Sequence, residues 1–227
     1  MQLTWFGHSN FKIEHGGKVI SIDPFFEGNP TAPVSHETLG KVDAVLLTHD
    51  HQDHLGQAVD ICAATGATLV GVYDTVSNLV DQGLPQSQTI GMNIGGTVEA
   101  AGARVKMVQA EHSSVTGVAA GYIVTLDDGF CVYHAGDTGL FASMELFSVF
   151  HDIDLALLPI GGWFTMDPEQ AAYACALLRC AKVAPMHWGT FPILEQNTDS
   201  FRTQLEKYAP ETELVGIAPG ETLAFEK

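Results

Sequence analysis

Basic residues are scarce in this sequence. Ten Lys and Arg are set against 27 Asp and Glu, which gives a formal net charge of −17 at pH 7. A chain of this charge repels nucleic-acid phosphates unless a local basic patch overrides the mean, and few cations are present to build one. We therefore expect a small-molecule substrate rather than nucleic acid, although bound metal ions would offset part of the negative charge within a site.

Long hydrophobic runs are also missing. No segment reaches the roughly 18 uninterrupted apolar residues that a membrane-spanning helix needs. The first residues, Met1 to Phe6, lack both the basic region and the apolar stretch of a secretory signal. We expect a soluble, cytoplasmic protein without a membrane partner. With 227 residues and 46% hydrophobic content, the chain can bury one substantial core, so we predict a single domain over residues 1–227.

Cysteines are few and widely spaced. The four are Cys62, Cys131, Cys175 and Cys180, and no two form a C-x-x-C pair. In a chain without an export signal this spacing favours buried free thiols over a disulfide framework, and it suggests no metal-binding or nucleophilic cysteine.

The most distinctive stretch of the sequence lies between Leu46 and Gly56. An apolar run formed by Val42 and by Ala44 to Leu47 has the length and β-branched character of a buried strand. Three histidines and two aspartates follow it, and His49, His51, Asp53 and His54 are the candidate ligands among them. No single face of a helix or strand directs all four to one point, whereas a tight loop can. Imidazole and carboxylate groups are ligands for zinc, so the run predicts a metal site, with simple helix capping as the alternative.

Ligand-type residues recur where other apolar runs end. His112 follows Val105 to Ala110, His134 and Asp137 follow Phe130 to Tyr133, and His187 follows Val183 to Met186. Small neighbouring residues allow close backbone approach at each place. Taken singly, His187 can be a core histidine, and Asp137 can cap the helix that we predict from Leu140.

Three further residues are candidates for supporting roles. Asp23 precedes Pro24, which cannot continue a ladder of strand hydrogen bonds, so Asp23 lies at a strand end; an ordinary turn aspartate is the alternative. His8, beside Gly7, also ends a strand, and we expect it to face the substrate or to orient a ligand. His134 is either an orienting hydrogen-bond partner or a packing residue.

The order of predicted elements indicates an α/β (α+β) fold. Strands at Gln2 to Phe6, Asn10 to Glu14 and Lys18 to Ile22 form a hairpin arrangement that turns at Gly16-Gly17. Helices are predicted over Leu55 to Thr65, Val76 to Gln82, Leu140 to Phe150, Pro168 to Cys180, with Asp167 as N-cap, and Thr198 to Tyr208. Strands followed by helices occur twice, so two halves can pack their sheets face to face with helices outside. The loop from Phe25 to Gly40 is expected to shape a substrate pocket.

The run from Thr48 to His54 resembles the signature of the metallo-β-lactamase superfamily. The resemblance implies a four-layer αβ/βα sandwich with a dinuclear metal site between its two sheets. It also implies that His49, His51 and His112 hold one metal and that Asp53, His54 and His187 hold the second. Asp137 is implied to bridge the two ions.

A closer resemblance covers nearly the whole chain. Its motifs are Gly7-His8-Ser9, Ile22 to Phe25, Tyr133 to Thr138, Gly161 to Met166 and Pro185 to Pro192. These are similar to a small bacterial and archaeal family of metal-dependent hydrolases, akin to the ascorbate-6-phosphate lactonase-like branch. Asp167 stands where that family tends to have glycine, and Trp188-Gly189 where it tends to have Tyr-Asn.

These resemblances imply hydrolysis by a hydroxide that bridges two divalent ions. Zinc is the first expectation, and manganese, iron or nickel also suit mixed imidazole and carboxylate ligands. The substrate is expected to be a small ester, lactone or phosphodiester, with Asp53 and His8 as catalytic residues and Asp23 and His134 as orienting ones. The alternatives are a metal-containing sensor without turnover, or a phosphodiesterase or nuclease acting on nucleic acid. A homo-oligomer is compatible with the sequence.

Overall fold

A computed structural model describes residues 1–227, and its strands form two seven-stranded sheets. The first sheet contains β1 (Gln2–Trp5), β2 (Phe11–His15), β3 (Lys18–Ile22), β4 (Ala44–Leu46), β5 (Thr68–Val72) and β6 (Thr89–Met92). Helices α1 (Gln52–Leu55), α2 (Ala58–Thr65) and α3 (Tyr73–Asp81) belong to the same half. The pairs β1 with β2 and β2 with β3 are antiparallel, and β3 to β6 pair in parallel.

The second half repeats this layout. Its strands are β7 (Thr97–Ala100), β8 (Ala103–Gln109), β9 (Ala120–Thr125), β10 (Cys131–His134), β11 (Leu155–Pro159), β12 (Lys182–Met186) and β13 (Glu213–Leu214). Its helices are α4 (Glu145–Phe150), α5 (Pro168–Leu178) and α6 (Asp199–Tyr208). Strands β7 to β10 are antiparallel and β10 to β13 are parallel. Strand β14 (Thr222–Ala224) then returns to the first sheet and pairs with β1.

Alternate residues at β4 of the first sheet face two different cores, as the pleat requires. In β4, Ala44 and Leu46 belong to the larger cluster of 50 buried residues, which joins both sheets. Val45 and Leu47 instead belong to a cluster of 14 with Ile61 and other residues of the helical layer. Ala171 of α5 and Phe201 of α6 pack with the strands of the second sheet, so helices cover the outer faces of two facing sheets, which confirms the predicted αβ/βα sandwich.

The structure also shows the state of the cysteines and the character of the helices. All four cysteines are buried and free, as predicted. No helix is both long enough and apolar enough to cross a bilayer.

The helix predicted over Leu55 to Thr65 is divided in two. Gly56 has φ 40 and ψ −121, outside the helical region, and separates α1 from α2. The side-chain oxygen of Gln57 accepts hydrogen bonds from the backbone of Phe26 and Glu27, both at 2.9 Å. The break therefore docks the loop after β3 against the histidine-rich turn after β4.

Gly56 lies so close to that loop that a larger residue cannot fit without movement. An added Cβ would lie 2.4 Å from the carbonyl oxygen of Pro24 and 2.6 Å from the Cα of Phe25. We expect Gly56→Ala to lower the free energy of unfolding by about 3 kcal/mol, because the backbone must shift as well as strain. Urea denaturation measures this.

Gly66→Ala is the matched control. Gly66 also has a left-handed backbone, with φ 76, but its added Cβ would meet nothing closer than 4.0 Å. We expect about 1 kcal/mol of destabilisation there, from the backbone alone. Equal losses in the two variants would show that the close approach at Gly56 carries no cost.

Candidate metal centre

The candidate site is built from the loops that follow strands of both sheets. His8 follows β1, Asp23 follows β3, the run from His49 to His54 follows β4, His112 follows β8, Asp137 follows β10 and His187 follows β12. Three of these residues have left-handed backbones, with φ of 54 at His8, 45 at Asp23 and 58 at His187. Such strain in non-glycine residues persists where the surrounding structure holds it, and it is concentrated at functional sites.

His49, His51 and His112 form one group of converging imidazoles. Their candidate ligand atoms all lie within 4.8 Å of one another. Nε2 of His49 is 3.0 Å from Nδ1 of His51, and the His112 ring lies 5.1 and 5.2 Å from the other two rings. Three nitrogen ligands on one centre suit a zinc-like cation.

A second group lies beside the first. Ligand atoms of His8, Asp53, His54 and His187 also lie within 4.8 Å of one another. The side chain of Asp53 is 31% exposed, whereas those of His8 and His54 are fully buried, so Asp53 marks the solvent-facing side of this group.

Asp137 connects the two groups. Its carboxylate oxygens lie 3.2 Å from Nε2 of His54, 3.1 Å from Nε2 of His187 and 3.7 Å from Nε2 of His112. The structure thus brings together all seven residues predicted as ligands, from both halves of the chain.

The residues present fit a metal site. Nε2 of His54, both ring nitrogens of His187 and Oδ1 of Asp137 are buried, and apart from the close contacts with one another just described they have no hydrogen-bond partner. Buried polar atoms are normally paired, because leaving one unpaired costs about 1–3 kcal/mol. A cation at the point where these atoms converge would satisfy several of them at once.

The electrostatics of the site also suit a cation. Burial and then the neighbouring His54 lower the pKa of His49 to about 2, and burial lowers that of His112. These imidazoles are therefore neutral, which is the form that binds metal. Burial raises the pKa of Asp137, but the imidazoles of His187 and His54 outweigh this effect and hold that pKa well below its usual value. Burial lowers the pKa of His54, but the carboxylates of Asp137 and Asp23 outweigh this effect and raise it well above its usual value.

Asp23 fixes the ring of His54. Its Oδ2 accepts hydrogen bonds from Nδ1 of His54 at 2.7 Å and from the hydroxyl of Thr48 at 2.6 Å. Its Oδ1 accepts from the backbone N–H of Thr48 at 2.8 Å. Because Nδ1 of His54 is occupied, Nε2 is directed at Asp137 and the site.

His134 does not reach the ligand groups. The backbone N–H of Gly136 donates to its Nδ1 at 3.1 Å, so its Nε2–H donates to the carbonyl of Ser9 at 3.0 Å. His134 therefore joins the turn at His8 to the loop that carries Asp137.

His8, a member of the second group, is held by hydrogen bonds from both halves of the chain. Its Nε2 is 3.1 Å from Oδ2 of Asp53, and its Nδ1 is 3.0 Å from the hydroxyl of Thr190. Its carbonyl accepts from the indole N–H of Trp5 at 2.9 Å and from the backbone N–H of His187 at 3.1 Å. Sequence reasoning missed Thr190, which is 182 residues away along the chain.

Asp50 is the second residue that sequence reasoning missed. Its carboxylate accepts hydrogen bonds from Ser114 at 2.7 Å, from the backbone of Val115 at 2.8 Å and from Thr116. It thereby holds the loop that follows His112 against the turn that carries His49 and His51. Its place inside the histidine run was the available signal, but its partners come from the other half of the chain.

Comparisons with known proteins agree with this geometry. A family model described as "Beta-lactamase superfamily domain" matches residues 18–188. A UPF0173 metal-dependent hydrolase of Nitratidesulfovibrio vulgaris is 58% identical over 100% of this chain and 96% of its own length. A UPF0173 metal-dependent hydrolase of Pyrobaculum islandicum is 46% identical over 98% of this chain and 99% of its own length.

Among solved structures, the chain is similar to Igni18, a metallo hydrolase from Ignicoccus hospitalis. The two are 41% identical with a TM-score of 0.91, and the match covers 100% of this chain and 98% of that one. Fold, site and sequence therefore agree that the chain belongs to the metallo-β-lactamase superfamily and is a metal-dependent hydrolase.

Proposed function

We propose that the protein is a dinuclear hydrolase that cleaves a small ester, lactone or phosphodiester. The observation that carries the proposal is the position of Asp137, whose two oxygens face imidazoles of both ligand groups. His49, His51 and His112 would hold one ion, Asp53, His54 and His187 the other, and Asp137 both. When bound, two divalent ions lower the pKa of water and polarise a substrate oxygen. Zinc suits this imidazole-rich set, and manganese, iron and nickel are the alternatives.

Asp53 is the residue best placed to orient a water and to accept its proton. It is the partly exposed carboxylate of the centre. Burial raises the pKa of Asp53, but the hydrogen bond from His8 and the charge of His54 outweigh this effect and lower it. The Asp53 carboxylate is therefore ionised. An ionised carboxylate beside the reacting water can act as a general base.

His8 orients Asp53 through a hydrogen bond to its carboxylate. Burial and then the nearby His187 lower the pKa of His8 to about 4, so its ring is neutral. A neutral ring that donates from Nε2 to a carboxylate must accept at Nδ1, and the Thr190 hydroxyl supplies that hydrogen. This chain of hydrogen bonds fixes the rotamer of Asp53.

Metal removal and reloading test the proposal. The chelated protein, reloaded with zinc or manganese, should contain two ions per chain by elemental analysis and should recover hydrolysis of at least one substrate class. The substrates are a lactone, a p-nitrophenyl ester, a phosphodiester, a thioester and nitrocefin. One ion per chain would contradict the dinuclear site, and two ions without turnover of any substrate would favour a sensor.

Asp137→Ala should remove both metal occupancy and activity, because the variant loses the one carboxylate that faces both groups. We expect fewer than one ion per chain and a decrease in kcat/KM of at least about 10²-fold. Asp81→Ala, which removes an exposed carboxylate at the end of α3, is the control and should match the wild type. Full occupancy and wild-type turnover in Asp137→Ala would remove the bridging role.

Asp50→Ala should affect the two ions unequally. The loop after His112 loses its anchor, so the affinity of the ion held by His49, His51 and His112 should fall by about 10–100-fold. The other ion should be retained. Competitive metal titration measures both affinities, with the exposed Asp60→Ala as control. Equal weakening of both ions would assign Asp50 a general structural role instead.

A further inference from the structure

We propose that the substrate is uncharged and carries an apolar substituent that packs on Trp163 and Ile193 beside the metal centre. The inference rests on the proposed hydrolase function and narrows its substrate class. It separates neutral esters and lactones from phosphodiesters and from phosphorylated lactones.

Basic residues are missing from every loop around the centre. These rim loops are residues 6–10, 23–40, 47–57, 111–119, 135–141, 160–167 and 187–198, and none contains Lys or Arg. They do contain the exposed acidic residues Glu27, Glu37, Glu111 and Asp167. A phosphate or carboxylate extending from the reacting group would therefore meet carboxylates and no cation.

The basic residues are used elsewhere. Lys18 and Lys41 lie 3.2 and 3.1 Å from the carboxylate of Asp43, which precedes β4 at the end opposite to its histidines. Lys106 donates to the carbonyl of Gly95 at 3.1 Å, and Arg202 lines a different groove, between α6 and the segment that leads to β14.

Apolar side chains are exposed where the cations are missing. The rim loops carry six of the twelve large hydrophobic residues that are exposed: Val34, Val115, Val118, Trp163, Phe164 and Ile193. Trp163 is 76% exposed, although tryptophan buries much of its surface in most proteins. Exposed apolar residues grouped in this way mark binding surfaces.

The turn that carries Trp163 is fixed directly against the centre. A Cβ on Gly161 would lie 3.0 Å from Nδ1 of His187, so this backbone packs on a proposed metal ligand. The backbone of Met166 donates to the carbonyl of Thr138 at 2.9 Å, and that of Glu195 donates to the carbonyl of Gly161 at 3.0 Å.

The backbone holds Trp163 outward, toward a groove. Trp163 itself has φ 55, so the turn keeps it exposed at the cost of a left-handed conformation. A groove of about 480 Å³ lies between Trp163 and Ile193, and its wall also carries the polar side chains of Asp167, Glu195, Gln196 and Asn197. It has the size for the side chain of a small substrate whose reacting carbonyl lies at the metals.

Neutral γ-lactones with side chains from methyl to hexyl test the inference on the metal-loaded protein. We expect kcat/KM to rise about two- to fourfold per added methylene until the groove is filled. A lactone of equal length whose side chain ends in a carboxylate should be at least about tenfold poorer. Trp163→Ala should flatten the dependence on chain length, and Phe150→Ala, which truncates an exposed aromatic on α4, should leave it unchanged.

Trp163→Lys adds the missing cation and should reverse part of the discrimination against the carboxylate-ended lactone. Binding of the corresponding alkyl lactams, measured by calorimetry, gives a readout that does not need turnover. Lactam affinity should increase with chain length in the wild type and not in Trp163→Ala.

The outcomes separate the two proposals. Turnover without any dependence on chain length, or a preference for the charged lactone or a phosphodiester, would overturn the apolar substrate class and leave the hydrolase proposal standing. Chain-length-dependent lactam binding that requires Trp163, without turnover of any lactone, would support the apolar ligand class and contradict the hydrolase proposal.

Discussion

A buried carboxylate surrounded by imidazoles from both sheets is the interaction on which the rest of this structure depends. Asp137 is 3% exposed, and its transfer from water is costly unless positive charge lies nearby. Without metal, that charge comes from His54, whose pKa is raised by Asp137 and Asp23 against the effect of burial. A bound metal ion would take the place of the proton. In both states the two halves of the chain are held together at this point, because His54 and Asp137 come from different halves.

The residues with strained backbones around the centre also help to hold the two halves of the chain together. His8 bridges the halves through its carbonyl, which accepts hydrogen bonds from Trp5 and from the backbone of His187. The carbonyl of the adjacent Ser9 accepts from His134. These contacts fix a left-handed turn that would cost about 1–2 kcal/mol in isolation. The structure thus uses hydrogen bonds between the two sheets to hold the backbone that positions the side chains of the centre.

The strand ends and the loops beyond them have different roles: the strand ends carry the reacting groups, and the loops contact the substrate. Buried imidazoles and carboxylates at the strand ends determine the class of reaction, since their protonation and direction are fixed by neighbours such as Asp23 and Asp50. The rim loops are free of cations and present apolar side chains, so we assign the choice of substrate to them. A fold of this kind supports different substrates through loop variation, while the chemistry stays on the rigid scaffold.

The sequence by itself determined the chemistry of the centre and much of the local structure. An apolar run followed by three histidines and two aspartates identifies a strand and a candidate metal-binding turn. Asp167 caps α5 through a hydrogen bond from the backbone of Gln170, as predicted. Local period and side-chain chemistry are sufficient for such features. Strands β13 and β14 were missed because they have only two and three residues and form only by pairing with β12 and β1, which are distant in the sequence.

Only the tertiary structure decided the break at Gly56, the anchoring of the His112 loop by Asp50 and the contact between His8 and Thr190. Each depends on which backbone segments pack together across two sheets. Residue order does not encode such contacts locally, because packing brings together groups that are from 31 to 182 positions apart.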